Sequence, residues 1–251
     1  MLVNYLRYLL SAKTLHHIHS PFVYRLHSQI VLPRKQYYDF ELLRQFFRPL
    51  TIDKTTISNL GAVEVSKFFF RPTVSAIIQN FEPSQRVAEL LYKLVDFLHP
   101  QTILVAGCNA GVAIHYLAKG WHKSKLVGIE PCQPLAQLTE KTASAFSQVQ
   151  ILHADWQEGI QTAAQFSPVL DLIWLNTRHA ESMYFVWKNC LPILHHQGAA
   201  VFHLRCRTSA MEQMWQQIIA EERVRFSIDL WEVGMVFIDN RQPKQHFVLR
   251  W

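Results

Sequence analysis

From Gln101 onward the chain alternates short apolar runs with amphipathic stretches, and nothing else in the sequence restricts its fold as much. The runs TILVAG, KLVGIE, VQILHA, LDLIWL and AAVFHL are strand-sized. Between or after them lie AIHYLAK, PLAQLTEKTASAF, ESMYFVWKNCLPIL and AMEQMWQQIIAEE, whose apolar positions recur at helical spacing. Strands separated by helices form βαβ units, so a parallel sheet buried on both faces is expected. The end departs from this rule. RFSIDLW and GMVFID are separated only by Glu232 and Val233, too few residues for a parallel crossover, so these two strands should pair antiparallel. Ser209 with Glu212 makes a capping-box pattern at the start of the last helix.

The first part of the chain reads differently. Leu2, Leu6, Leu9 and Leu10, and later Phe40, Leu43, Phe46 and Phe47, follow helical spacing. Between residues 50 and 85 the periodicity weakens around Gly61, Pro72 and Pro83. A helix through Val87, Leu90, Leu91, Leu94, Val95 and Leu98 then runs to Pro100. The expected organisation is a helical N-terminal cap over residues 1–85 and an α/β domain over residues 86–251. With 251 residues, 49% hydrophobic and 18% charged, the chain can bury a large core, which excludes a disordered, collagenous or coiled-coil protein.

Charge and cysteine usage narrow the partners. The formal net charge is +6, but the basic residues are scattered without a run, so nucleic acid is not expected as a partner. Cys108, Cys132, Cys190 and Cys206 lie far apart with no Cys-x-x-Cys pair, which fits reduced thiols in a cytoplasm. Arg7 interrupts the apolar N-terminal stretch and no small-residue cleavage site follows, so a packed helix is expected there, with an interfacial membrane helix as the alternative. No apolar run approaches membrane-spanning length.

The chemistry concentrates in TILVAGCNAGVAIHYLA, a strand running into Gly107 and a helix beginning near Gly111. Without a Cβ, such a turn lets a ligand approach backbone amides at a helix N-terminus. The spacing is not Gly-x-Gly-x-x-Gly, and it suits the carboxypropyl and sulfonium end of S-adenosylmethionine better than a pyrophosphate; a tight turn without ligand is the alternative. Glu130 lies 23 residues beyond Gly107, at the end of the next strand, where a carboxylate can accept both ribose hydroxyl protons. Asp155 follows the third strand and could meet the exocyclic amine of an adenine with Trp156 stacking, or cap the next helix; the two roles are compatible.

These motifs resemble those of the bacterial class I S-adenosylmethionine-dependent methyltransferases, in particular a predicted O-methyltransferase subgroup with a His-Ser-Pro-Phe segment, here HSPFVY from His19 to Tyr24. The similarity extends over LLYKLVDFL, the glycine turn, GIEP, DLIWLN, DLWEVGMVFID and HFVLRW. It implies a Rossmann-like wound sheet, mostly parallel with a C-terminal antiparallel hairpin, plus the helical cap over the C-terminal strand ends. It also implies S-adenosylmethionine as cofactor, held by Gly107, Cys108, Asn109, Gly111, Glu130, Pro131, Asp155, Trp156 and Asn176.

The departures from that family are specific. Val105 stands where an acidic residue is usual, Asn176, Thr177, Arg178 and His179 replace Asp-Gly-Asn-His, and His203 with Leu204 replaces an Asp pair. The aspartates of metal-dependent relatives are oxygen ligands for a hard cation, and an amide, an imidazole and a leucine cannot replace them, so no metal site is expected. The His16 to His19 cluster lacks an adjacent carboxylate and the four ligands a structural Zn²⁺ needs. His179 and His203 are the candidate general bases, with structural hydrogen bonding as the alternative. His19, Phe22 and Tyr24 are expected to close the cleft as a lid, with packing on the far side of the sheet or a homodimer contact as the alternatives. The expected activity is methyl transfer to an oxygen or nitrogen of a small molecule. A catalytically degenerate binding module and an RNA or protein methyltransferase are the rivals.

Overall fold

Each of the five apolar runs folds as a strand in the computed structural model, which describes residues 2–12, 20–33, 35–58, 72–205, 207–239 and 243–251. They are β1 (Thr102–Ala106), β2 (Lys125–Ile129), β3 (Val149–Leu152), β4 (Leu170–Leu175) and β5 (Leu194–His203). All pair in parallel in the order β3-β2-β1-β4-β5, with the switch point between β1 and β4. β6 (Phe226–Asp229) and β7 (Val233–Phe237) are antiparallel, as the short connection requires, and β7 inserts between β5 and β6. The resulting sheet is the Rossmann-like wound sheet with an antiparallel hairpin. β8 (Gln245–Val248) adds an eighth strand parallel to β6, which the apolar pattern does not announce.

Among the described residues five α-helices precede β1 and differ in where they pack: α1 (Leu2–Ser11), α2 (Pro21–Leu26), α3 (Tyr38–Phe47), α4 (Val74–Phe81) and α5 (Gln85–Leu98). The later helices are α6 (Val112–Gly120), α7 (Gln133–Ala143), α8 (Trp156–Phe166), α9 (Ala180–Cys190) and α10 (Ser209–Ala220). Period-2 alternation sends Ile103 and Val105 to one face of the sheet, where they pack with α5 and α6, while Leu104 and Ala106 join the core beneath α8, α9 and α10. α5 stops at His99, in the left-handed region at φ 50°, and Pro100 bars its continuation. Among the described residues no helix is long and apolar enough to cross a membrane, and Cys108, Cys132 and Cys190 are buried free thiols.

The His-Ser-Pro-Phe segment is a helix start. The Ser20 hydroxyl accepts from the Val23 amide at 3.4 Å, and Pro21 takes the first helical position, where its missing N–H costs nothing. Phe22 then packs against Phe226, Phe237 and Phe97, with ring centroids 5.2, 5.3 and 6.1 Å away. Phe237 pairs with Ala199 and Phe226 with Phe237, toward the edge of the sheet where the parallel strands begin, whereas Gly107 follows the opposite end of β1. Phe22 is therefore not part of a lid over the glycine turn: its ring buries apolar area on the sheet face. Tyr24 is exposed on the same short helix, and His19, with the neighbouring histidines, lies outside the described residues.

α3 also packs on helices, setting Phe40, Leu43 and Phe47 against Ala88, Tyr92, Val112 and Tyr116. α4 reaches the turn, setting Val74, Ile77 and Phe81 in one buried cluster with Ala110, Cys132 and Leu135. The last helix is capped one residue earlier than the capping-box pattern suggests. Thr208 is the cap, accepting from the Met211 amide at 3.2 Å. Glu212 turns instead to Arg207 at 2.8 Å. The buried Arg207 guanidinium also pairs with Asp229, which accepts in addition from the Trp215 indole at 3.1 Å and the Trp231 amide at 2.8 Å.

Candidate active site

The C-terminal ends of β1, β2, β4 and β5 share one edge, the place where wound sheets bind ligands. β1 leaves this edge through Gly107, whose φ is +90°. A Cβ there would lie 2.5 Å from the Asn176 carbonyl oxygen, so only glycine fits. Asn109 also adopts a positive φ of 51°, and Gly111 at +90° opens α6. The turn is tied from several sides: Thr139 Oγ1 donates to the Asn109 carbonyl at 3.0 Å, and Cys108 Sγ lies 3.5 Å from the Ile129 carbonyl.

Glu130 follows β2 directly and is buried beside this turn. Its carboxylate accepts from the Asn109 amide at 2.9 Å and the Cys132 amide at 3.0 Å. Pro131 sits half-buried between Glu130 and the start of α7. The sequence-expected pairing of glycine turn and acidic strand end is thus a contact. Asp155 is the N-cap of α8, accepting from the Glu158 amide at 2.8 Å. Trp156 packs partly into the core under the sheet.

The ends of β4 and β5 form a second group. Asn176 and His203 are both buried, and His203 Nδ1 lies 2.7 Å from Asn176 Oδ1. An amide oxygen only accepts, so Nδ1 carries the proton and Nε2 keeps the lone pair. Burial, with the charges of Arg205 and Arg178 adding to it, pushes the His203 imidazole down to about 3. So weak a base is poorly matched to proton abstraction at neutral pH. Neither His203 Nε2 nor Asn176 Nδ2 has a hydrogen-bond partner among the described residues. They border a cavity of about 10 Å³ closed over by Asn80, Phe81 and Arg205. His179 stands at the N-cap of α9, and its carbonyl accepts the Thr177 hydroxyl at 3.2 Å. Val105 and Leu204 are fully buried, and among the described residues no cluster of three or more His, Cys, Asp or Glu is placed to hold a metal.

The structure adds a residue that no local pattern reveals. Glu82, in the elbow between α4 and α5, is buried with Oε1 accepting from the Ala110 amide at 2.6 Å and the Val112 amide at 3.3 Å. Burial pushes its carboxyl up to about 8, against the pull of these amides, and the nearby Glu130 charge pushes the same way. Phe81 and Arg205 complete the elbow: Arg178 lies over the Phe81 ring at 4.9 Å, and Arg205 donates to the Gln79 carbonyl at 3.0 Å. The elbow at Phe81 and Glu82 packs against the turn.

No family model matches the chain, and no curated protein matches it. Solved structures do match. The chain is similar to an O-methyltransferase from Bacillus cereus in complex with S-adenosylhomocysteine, at 13% identity over 85% of this chain and 96% of that one, with a TM-score of 0.56. It is similar to a methyltransferase of Podospora anserina bound to S-adenosylhomocysteine, at 13% identity, 82% and 98% coverage and a TM-score of 0.56. It is also similar to an O-methyltransferase of Streptomyces achromogenes involved in tomaymycin synthesis, in complex with S-adenosylmethionine, at 12% identity, 85% and 97% coverage and a TM-score of 0.55.

Proposed function

We propose that this chain, which shares its fold with those O-methyltransferases, binds the nucleoside of S-adenosylmethionine at its glycine turn and transfers the methyl group to an oxygen or nitrogen of a small molecule. The observation that carries this reading is Glu130, a buried carboxylate at the end of β2 hydrogen-bonded to the Asn109 amide of the turn. Held there, it stands at the strand end where a carboxylate meets the vicinal hydroxyls of a ribose. The nucleoside half of the cofactor fits these residues. When bound, the cofactor supplies an electrophilic methyl on a sulfonium, which an acceptor lone pair takes in line as the carbon–sulfur bond breaks.

The residues around the acceptor side do the positioning. Phe81 and the elbow exclude water from the ends of β4 and β5, and alignment with water exclusion is the main demand of such a displacement. His203, neutral and lacking a partner at Nε2, offers an acceptor for a hydrogen bond from the substrate rather than a strong base. Asn176, His203 and Leu204 offer no set of hard oxygen ligands, so turnover is independent of a divalent cation. A binding-only module is the second reading, favoured by the small closed cavity beside His203. The experiment is transfer of labelled methyl from S-adenosylmethionine to a panel of phenolic and amino acceptors, with and without EDTA. Labelled product unaffected by EDTA supports the enzyme; ligand binding without any transfer supports the binding module.

A further inference from the structure

The amides that open α6 are an anion-binding feature at this edge, and the chain fills them itself. A helix N-terminus presents unpaired N–H groups and the positive end of the dipole. Here the Ala110 and Val112 amides already donate to Glu82 Oε1, at 2.6 and 3.3 Å. The other oxygen, Oε2, is buried without a hydrogen-bond partner among the described residues, on a side chain only 1% exposed. Burying a carboxyl group with half of its acceptor capacity unused is costly. The elbow that delivers it is fastened on both sides: Arg205 donates to the Gln79 and Glu82 carbonyls at 3.0 and 3.4 Å, and the Ser84 hydroxyl donates to Glu232 at 3.1 Å.

We propose that Glu82 is a resident carboxyl group filling the amides of the glycine turn, which makes the site select 5′-thioether nucleosides without an amino-acid tail over S-adenosylmethionine and S-adenosylhomocysteine. The proposal rests on the reading of this edge as a nucleoside site. A ligand carboxylate brought to the same two amides finds them already taken by Glu82 Oε1, in a water-poor setting with no room for a second acceptor. The other end of an amino-acid tail fares no better. The Val105 side chain offers an α-ammonium no acceptor, and Asn176 Oδ1 is engaged by His203 at 2.7 Å. A neutral thioether arm needs neither partner. Withdrawal of the elbow would release the two amides to the carboxylate of a full cofactor, so Glu82 sets how readily the methyl donor enters.

The test is calorimetry of the full chain with 5′-methylthioadenosine and S-adenosylhomocysteine, beside the variants Glu82→Ser and Arg205→Ala, each checked by thermal melting. The unmodified chain should bind 5′-methylthioadenosine about tenfold or more tighter than S-adenosylhomocysteine. Glu82→Ser, and Arg205→Ala through a loosened elbow, should raise S-adenosylhomocysteine affinity by about tenfold while leaving 5′-methylthioadenosine within about twofold. Equal affinity of the unmodified chain for both ligands, or a variant that moves both together, overturns the proposal and leaves the nucleoside site standing. Absence of binding by either ligand to any folded variant overturns both. The ranking in the unmodified chain decides the matter even if Glu82→Ser does not fold.

Discussion

His203 Nδ1 donates to Asn176 Oδ1 at 2.7 Å, joining the ends of β5 and β4 through two buried side chains. The bond fixes the ring as the Nδ1–H tautomer, while burial and the charges of Arg205 and Arg178 hold it neutral down to about 3. His203 ring shifts followed by NMR should therefore stay constant from pH 5 to pH 8, a range of about three units around the usual imidazole value. An inflection of those shifts near 6.5 would show a solvated ring instead.

Glu82 and His203 predict a plateau in stability. The Glu82 carboxyl has a folded pKa of about 8 against the ordinary 4.5, so the folded state holds the extra proton between these values and stability falls as pH rises through that window. His203 has a folded value of about 3 against 6.5, so the unfolded state holds the extra proton and stability falls as pH drops through that window. The two slopes oppose each other where the windows overlap, each at most about 1.4 kcal/mol per pH unit. Urea denaturation across pH should then show Glu82→Gln flattening the alkaline limb and His203→Asn flattening the acid limb. His115, also lowered by burial, adds to the acid limb.

Phe22→Ala tests the place of the His-Ser-Pro-Phe helix. Loss of its ring from the cluster with Phe97, Phe226 and Phe237 should cost about 3 kcal/mol in denaturant unfolding. Ligand affinity in the folded variant should not change. A fall in affinity with stability intact would restore the lid role.

Asp229→Ala removes the acceptor of Arg207, the Trp215 indole and the Trp231 amide together. Arg207 keeps Glu212 but loses its buried partner, and breaking a buried pair costs up to about 3 to 5 kcal/mol, so a drop in the denaturation midpoint is expected. A change below about 1 kcal/mol, the usual worth of a surface pair, would mean that water reaches this cluster.

What the sequence discloses follows the range of the interactions involved. The strands β1 to β5 are legible because a strand buried on both faces is a continuous apolar run, and Glu130 is legible because its relation to Gly107 lies within one βαβ unit. β8 is not, since it is four residues long and begins with Gln245 and His246, so its pairing with β6 supplies the strand. The cap of the last helix shifts from Ser209 to Thr208 because both carry a hydroxyl and only the extended backbone of Thr208, φ −70° and ψ 164°, decides between them. Phe22 carries no local mark of which sheet edge it faces. Glu82 is the clearest case: its amide partners at Ala110 and Val112 lie 28 and 30 residues away, and only the fold brings them together.

The nucleoside site itself is tested most directly by titrating 5′-methylthioadenosine into the unmodified chain and into Glu130→Ala. Losing hydrogen bonds to a charged group should weaken binding by about 1 to 3 kcal/mol. Unchanged affinity in a folded Glu130→Ala variant would contradict the assignment of the glycine turn and the end of β2 as the site that holds the ribose.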